Sequence, residues 1–149
     1  MVQKKAARPT KKPAKAVKKT PIQSGHGVGR RKAAVARVWL YRGAGKMMVN
    51  DYPAESYFDT EVSRLSATAP LRVCAEASHY DVRVSVEGGG KAGQADAVKL
   101  GFARALLSTD ESLKSVLRKH GLLTVDSRNK ERKKYGQKAA RRKFQFVKR

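Results

Sequence analysis

Residues 33 to 41, AAVARVWLY, alternate: Ala34, Ala36, Val38 and Leu40 fall on one side, and Val35, Arg37, Trp39 and Tyr41 on the other. A period of two is that of a strand with one face on a core. RGAGK (42 to 46) supplies turn glycines, and MMVN (47 to 50) reads as the returning strand of a hairpin. DVRVSVE (81 to 87) is the cleanest alternation, with Val82, Val84 and Val86 inward and Asp81, Arg83, Ser85 and Glu87 outward; Gly88, Gly89 and Gly90 end it. From about residue 91 to 107 the period lengthens. Ala95, Val98, Phe102, Ala103 and Leu106 recur at the spacing of one helix face. STDE (108 to 111) reads as a capping box, with Ser108 as cap and Glu111 reaching back. A second helix follows, with Leu113, Val116 and Leu117 on one face, Arg118, Lys119 and His120 in its last turn, and Gly121 at its end. The pattern allows a short final strand at LLTV (122 to 125). Between residues 51 and 80, Tyr52, Tyr57, Phe58, Val62, Leu65 and Leu71 are spaced loosely like a helix, interrupted by Pro53 and Pro70, which predicts short helices. GHGVGRRK (25 to 32) opens the folded part with three glycines and then three charges. Together these elements predict an α+β domain with a sheet on one side and helices on the other.

Charge divides the same chain differently. Residues 1 to 20 hold eight Lys or Arg and no acid; residues 128 to 149 hold eleven and a single acid, Glu131. The middle is nearly balanced, although the whole carries a net charge of +22. The expected organisation is a basic N-terminal extension (1–24), disordered because Pro and mutually repelling Lys deny it a helix, a globular domain (25–127), and an extended basic tail (128–149). A body with this much excess charge at both ends is relieved by a polyanion. Nucleic acid is the first expectation and an anionic membrane the second.

Other classes find little support. Cys74 stands alone, so no internal disulfide or thiolate metal cage is expected, and a reducing compartment suits it. No stretch approaches the roughly 18 apolar residues of a membrane span, and the N-terminus shows no apolar signal-peptide core. His26, His79 and His120 lie in separate segments without metal spacing. The scattered acids read as surface charge, and no nucleophile, base and acid set is evident, so neither an enzyme nor a metal or organic cofactor is expected.

Gly88, Gly90 and Gly93 do spell G-x-G-x-x-G between a strand and a helix, with Asp110 and Glu111 at the distance of a ribose-binding acid. In a dinucleotide-binding fold that acid ends the next parallel strand. Here it starts a second helix with no apolar strand before it, so a tight strand-to-helix turn is the plainer reading. A third reading is phosphate held on backbone N–H groups at the helix start, including RNA phosphate, with Lys91 and Gln94 at hand. A P-loop fails, because Ala92 stands where the magnesium-binding hydroxyl belongs.

The tail is the positive signal. Its cations are interleaved with Tyr135, Phe144 and Phe146. Cations draw phosphate, and aromatic rings stack on unpaired bases, which structured RNA offers more readily than duplex DNA.

GRRKAAVARVWL (29 to 40), VSVEGGGKAGQADAVKLGFARALL (84 to 107), LRKHGLLTVDSR (117 to 128) and ERKKYGQKAARR (131 to 142) resemble, in this order, the family of the ninth protein of the small ribosomal subunit, in its bacterial form. The resemblance runs from about residue 25 to the last residue. It implies a two-layer α/β sandwich with a left-handed β-α-β crossover, seated in the subunit head on 16S-type ribosomal RNA beside neighbouring head proteins. It also implies a tail that threads through RNA to the peptidyl site of a bacterial-type, cytoplasmic ribosome. Carried over by position, the RNA-facing residues are Arg30, Arg31, Lys32, Arg37, Gly88, Gly89, Gly90, Arg128, Arg132, Lys133, Lys134, Tyr135, Lys138, Arg141 and Arg142, and the tRNA-facing pair is Lys148 and Arg149. Two positions depart from the family: Val147 replaces a common serine, and Lys143-Phe144 replaces a common Ala-Pro. A nucleic-acid compactor, suggested by KKPAKAVKK, and a nucleotide-dependent enzyme, suggested by the glycine fingerprint, are the competing readings. The first needs no folded body joined to an aromatic tail, and the second needs side chains that are not evident.

Overall fold

The computed structural model describes residues 23–147. The expected N-terminal extension, apart from its last two residues, and the Lys148–Arg149 pair lie outside that range. Strands β1 (Gln23–Arg31), β2 (Ala34–Arg42), β3 (Met47–Val49), β4 (Tyr52–Pro53) and β5 (Tyr80–Glu87) form one mixed sheet in the order β1-β2-β5-β3-β4. Helices α1 (Ala54–Tyr57), α2 (Glu61–Ala67) and α3 (Ala69–Val73) and a 3₁₀ turn connect β4 to β5. Helix α4 (Lys91–Thr109) follows β5, and α5 (Lys114–Lys119) closes the body. The architecture is α+β, as the alternation predicted, with short helices where the loose spacing placed them.

The predicted inward residues of β2 and β5 are buried, and so is the predicted stripe of α4. Val38, Leu40, Val82, Val84, Phe58, Val98, Phe102 and Leu106 form the centre of the core. Helix α4 is buried over much more than that stripe. Gly93, Ala97, Gly101 and Ala105 recur every fourth residue and are buried too. Ala97, Gly101 and Ala105 meet Gly25, Gly27 and Gly29, which alternate on the buried face of β1, and Gly93 faces the Arg31 carbonyl. A Cβ on Gly27 would sit 2.5 Å from the Ala105 backbone nitrogen. Small residues on both sides therefore let helix and strand backbones come together closely. Arg104 adds a hydrogen bond from its guanidinium to the Val28 carbonyl, 2.8 Å.

GHGVGRR, which opens the folded part, is most of β1, a nine-residue strand antiparallel to β2. Three local expectations need correction. MMV does not return beside β2: β5 lies between them, antiparallel to β2 and parallel to β3. Parallel pairing requires a crossover, and residues 50–79 supply it. Ser108 does not cap a second helix. It remains inside α4, its hydroxyl donating to the Ala105 carbonyl at 2.7 Å and accepting from the His26 amide at 3.3 Å. Residues 122–125 form no strand; Leu122 instead closes α5. The Leu122 amide donates to Leu117 O and the Gly121 amide to Arg118 O, both at 3.0 Å, with Gly121 at φ +67°. This is the paired left-handed termination that glycine favours.

Among the described residues, helices cover only one face of the sheet. On the other, His26, Val28 and Arg30 of β1, Val35, Arg37, Trp39 and Tyr41 of β2, and Arg83 and Ser85 of β5 remain exposed or half-buried.

Candidate nucleic-acid interface

The β1–β2 turn gathers four of the expected basic residues. Arg30 and Arg37 stand on the open face of the sheet, exposed and without an acidic partner among the described residues. Lys32 occupies the turn at φ +53° and is likewise exposed. Arg31 differs. It points to the helical side, with only 13% of its side chain accessible. Its guanidinium lies 3.0 Å from the Asp126 carboxylate and 3.7 Å from that of Asp96, and it donates to the carbonyls of Asp126 and Arg128. Arg31 therefore clasps the start of the tail to the body.

Asp126 is the other half of that clasp. Its carboxylate accepts from the backbone amide and from the guanidinium Nε of Arg128, each at 3.0 Å. These bonds, side chain first and backbone second, hold its carboxyl far below the usual aspartate range, and the Arg128 and Arg31 charges add to the effect. Reading the acids as surface charge missed this residue. Its signal was an aspartate two positions before the first cation of a basic run, where it can fold back on that cation.

The glycine turn is a conformational necessity at two of its three positions. Gly88 and Gly89 adopt φ +70° and +64°, a region L side chains avoid. Gly90 has an ordinary φ of −106° and precedes the first turn of α4, with open space where a Cβ would stand. Lys91 and Gln94, the side chains expected to be at hand for phosphate, are engaged locally. The Lys91 ammonium donates to the Tyr57 carbonyl at 2.9 Å and lies 3.6 Å from the centre of its ring. Gln94 donates to the Gly88 carbonyl and accepts from the Tyr57 hydroxyl.

Beyond Arg128 the described chain has neither helix nor strand and is exposed almost throughout. Among the described residues, Arg132, Lys133 and Lys134 pair with no acid; Tyr135 is 96% exposed and Phe146 97%. Gly136, at φ +64°, turns the chain, and the Lys138 amide donates to the Arg142 carbonyl at 2.9 Å. Glu131, the sole acid of the tail, holds Arg141 across this turn through a two-pronged ion pair, one prong being 2.8 Å from Nε. Lys138 lies over the Phe144 ring. No three His, Cys, Asp or Glu side chains converge among the described residues as a metal would require, and no described helix is long and apolar enough to cross a membrane.

A half-open sheet, a clasped tail root and an exposed run of unneutralised cations define a small basic α+β protein whose charge is carried on extended chain. Comparison with known proteins makes this specific. The family described as ribosomal protein S9/S16 matches residues 29–149. The small ribosomal subunit protein uS9 of Cytophaga hutchinsonii is 52% identical over 124 residues, covering 83% of this chain and 97% of its own length. That of Chlorobium chlorochromatii is 52% identical over 122 residues, covering 82% and 95%. That of Maridesulfovibrio salexigens is 48% identical over 124 residues, covering 83% and 95%. The chain belongs to the ribosomal protein S9/S16 family, and it is a ribosomal structural protein, not an enzyme.

Proposed function

We propose that this chain is a structural constituent of the small ribosomal subunit of a bacterial-type ribosome, binding 16S-type ribosomal RNA in the subunit head and reaching peptidyl-site tRNA with the end of its tail. The observation that carries the reading is the tail itself: exposed cations and rings on a chain that makes no core, leaving the body at a fixed point. Arg128, Arg132, Lys133, Lys134, Lys138, Arg141 and Arg142 are the phosphate contacts of this segment, with Tyr135 against bases or sugars. On the body, Arg30, Lys32, Arg37 and the Gly88–Gly90 turn face RNA. Arg31 serves the interface through the clasp that aims the tail. Lys148 and Arg149 are the tRNA contacts, where charge-assisted bonds to phosphate are strong and directional. The small-subunit names of the similar proteins support the assembly.

The test is sedimentation of the tagged full chain from cells, with subunits separated at low magnesium. The chain is expected with small subunits. Recovery with bulk DNA or in the free-protein fraction would return the compactor reading to first place.

A further inference from the structure

No hydrogen bond or ion pair joins the described tail residues to the open face of the sheet, which gathers aromatic and cationic side chains. Trp39 stands at its centre, half-buried, with the His26 ring 5.5 Å away. Arg37 lies two residues along the same face, and Arg83 is the direct cross-strand neighbour of Trp39. Between Trp39, Tyr41 and Arg83 on one side and the Asn50–Asp51 turn on the other lies a concavity of about 520 Å³. Its far lip is rigid. Asn50 is bonded to both backbone groups of Val86, at 3.0 and 2.8 Å, and Asn50 and Asp51 both hold positive φ.

Charge selects the occupant. Of the acids on this face, Asp51 is paired with Arg83, Asp81 is occupied by the Ala44 and Lys46 amides, and Glu87 stands exposed at the end of β5 opposite Val35. Among the described residues Arg30 and Arg37 form no ion pair, so with Arg83 this face holds three cations against one acid, Glu87, that is neither paired nor bonded to backbone, and the molecule as a whole carries +22. A flat aromatic between Arg37, which has no ion pair, and Arg83, whose only ion pair is the exposed one with Asp51, suits a base with its phosphates.

We propose that this face is a second RNA contact, receiving an unpaired nucleotide whose base stacks on Trp39 while Arg37 and Arg83 take the flanking phosphates. The proposal rests on the ribosomal-RNA reading of the protein.

Trp39 is the one tryptophan of the chain, so its emission reports the site without a label. The full chain is titrated with a ten-residue oligoadenylate and, separately, with a blunt A-form RNA duplex of equal length. The single strand should quench Trp39 emission, and the duplex should bind with little quenching. Because the variants carry no tryptophan, affinities are compared by anisotropy of end-labelled RNA: Trp39→Leu should weaken oligoadenylate binding about tenfold, as expected when one base–aromatic stack is removed, and leave duplex binding unchanged. Trp39→Phe, which keeps a stacking ring, should restore most of the affinity. If neither RNA binds, the functional reading beneath the proposal is overturned. Binding of both without quenching, and with equal affinity for Trp39→Leu, would overturn the stacking site alone. So would Trp39→Leu subunits that keep their RNA contacts but lack a neighbouring protein.

Discussion

Gly29 and Gly90 look alike in the sequence and do opposite work. A Cβ at Gly29 would stand 2.5 Å from the Gly101 backbone nitrogen and closer still to the Ala97 carbonyl oxygen, so backbone rather than a flexible side chain would have to shift. Gly29→Ala should therefore destabilise the body by about 3 kcal/mol or more, the cost of forced overpacking, measured by urea denaturation. Gly90→Ala meets nothing within 4 Å and keeps an ordinary φ, so its stability should stay within about 0.5 kcal/mol of the parent. That makes it a clean probe of backbone approach. If RNA phosphate rests on the start of α4, the added methyl should still weaken RNA binding several-fold in a filter or anisotropy titration. Unchanged affinity would limit the glycine turn to connecting strand and helix. The glycines of β1 hid that strand from a reading based on apolar alternation, because a face made of Gly25, Gly27 and Gly29 carries no hydrophobic signal. Their own period of two, matched by the period of four at Gly93, Ala97, Gly101 and Ala105, was the legible trace.

At the scale of elements, β2, β5 and α4 could be read because each buries a face whose period differs from that of its neighbours. Strand partnership could not. Alternation shows that β3 exists, but β5, more than thirty residues later, is what separates it from β2. The clasp between Arg31 and Asp126 was hidden for the same reason, its halves being 95 residues apart. It has a testable pH dependence. The Asp126 carboxyl is held far below the ordinary aspartate range, so the folded state binds its proton less readily than the unfolded one. A group depressed in this way contributes fully above its unfolded pKa of about 3.9 and loses that contribution as pH falls towards the folded value. The clasp should thus be unaffected between pH 7 and 5 and loosen only in stronger acid. Hydrogen exchange of the Arg128 amide, which donates to Asp126, should show this directly. Asp126→Asn should speed that exchange at pH 6 and flatten its acid dependence, while the protection of β2 and α4 stays as in the parent. Parent-like protection of Arg128 in the variant would show that the tail root is held by something else.

For the whole molecule, the structure divides a folded body from an exposed basic tail, and the proposed function gives the binding to the tail. The charge partition made this division legible, because a segment with eleven cations and one acid cannot offset the entropy of folding alone. The tail itself divides again. Lys148 and Arg149 are two charges among many, so deleting them should leave small subunits assembled. It should loosen peptidyl-site tRNA by a modest factor, read as a faster dissociation rate on purified subunits. Equal dissociation rates would remove the tRNA role from that pair. The inner tail is the expected seat of most of the RNA affinity, and the salt dependence of binding tests this most directly. The affinity of the full chain for a 16S-type head-domain RNA is measured from low to moderate salt, beside that of a chain ending at Ser127. Every phosphate that the shortened chain no longer neutralises should flatten the plot of log affinity against log salt by about 0.7 to 0.9. Removing the tail should therefore reduce the slope by about 4 or more, equivalent to about six phosphates at the lower rate, while the folded body keeps its thermal transition. Equal slopes and equal affinities for the two chains would contradict this role of the tail and place the binding on the body.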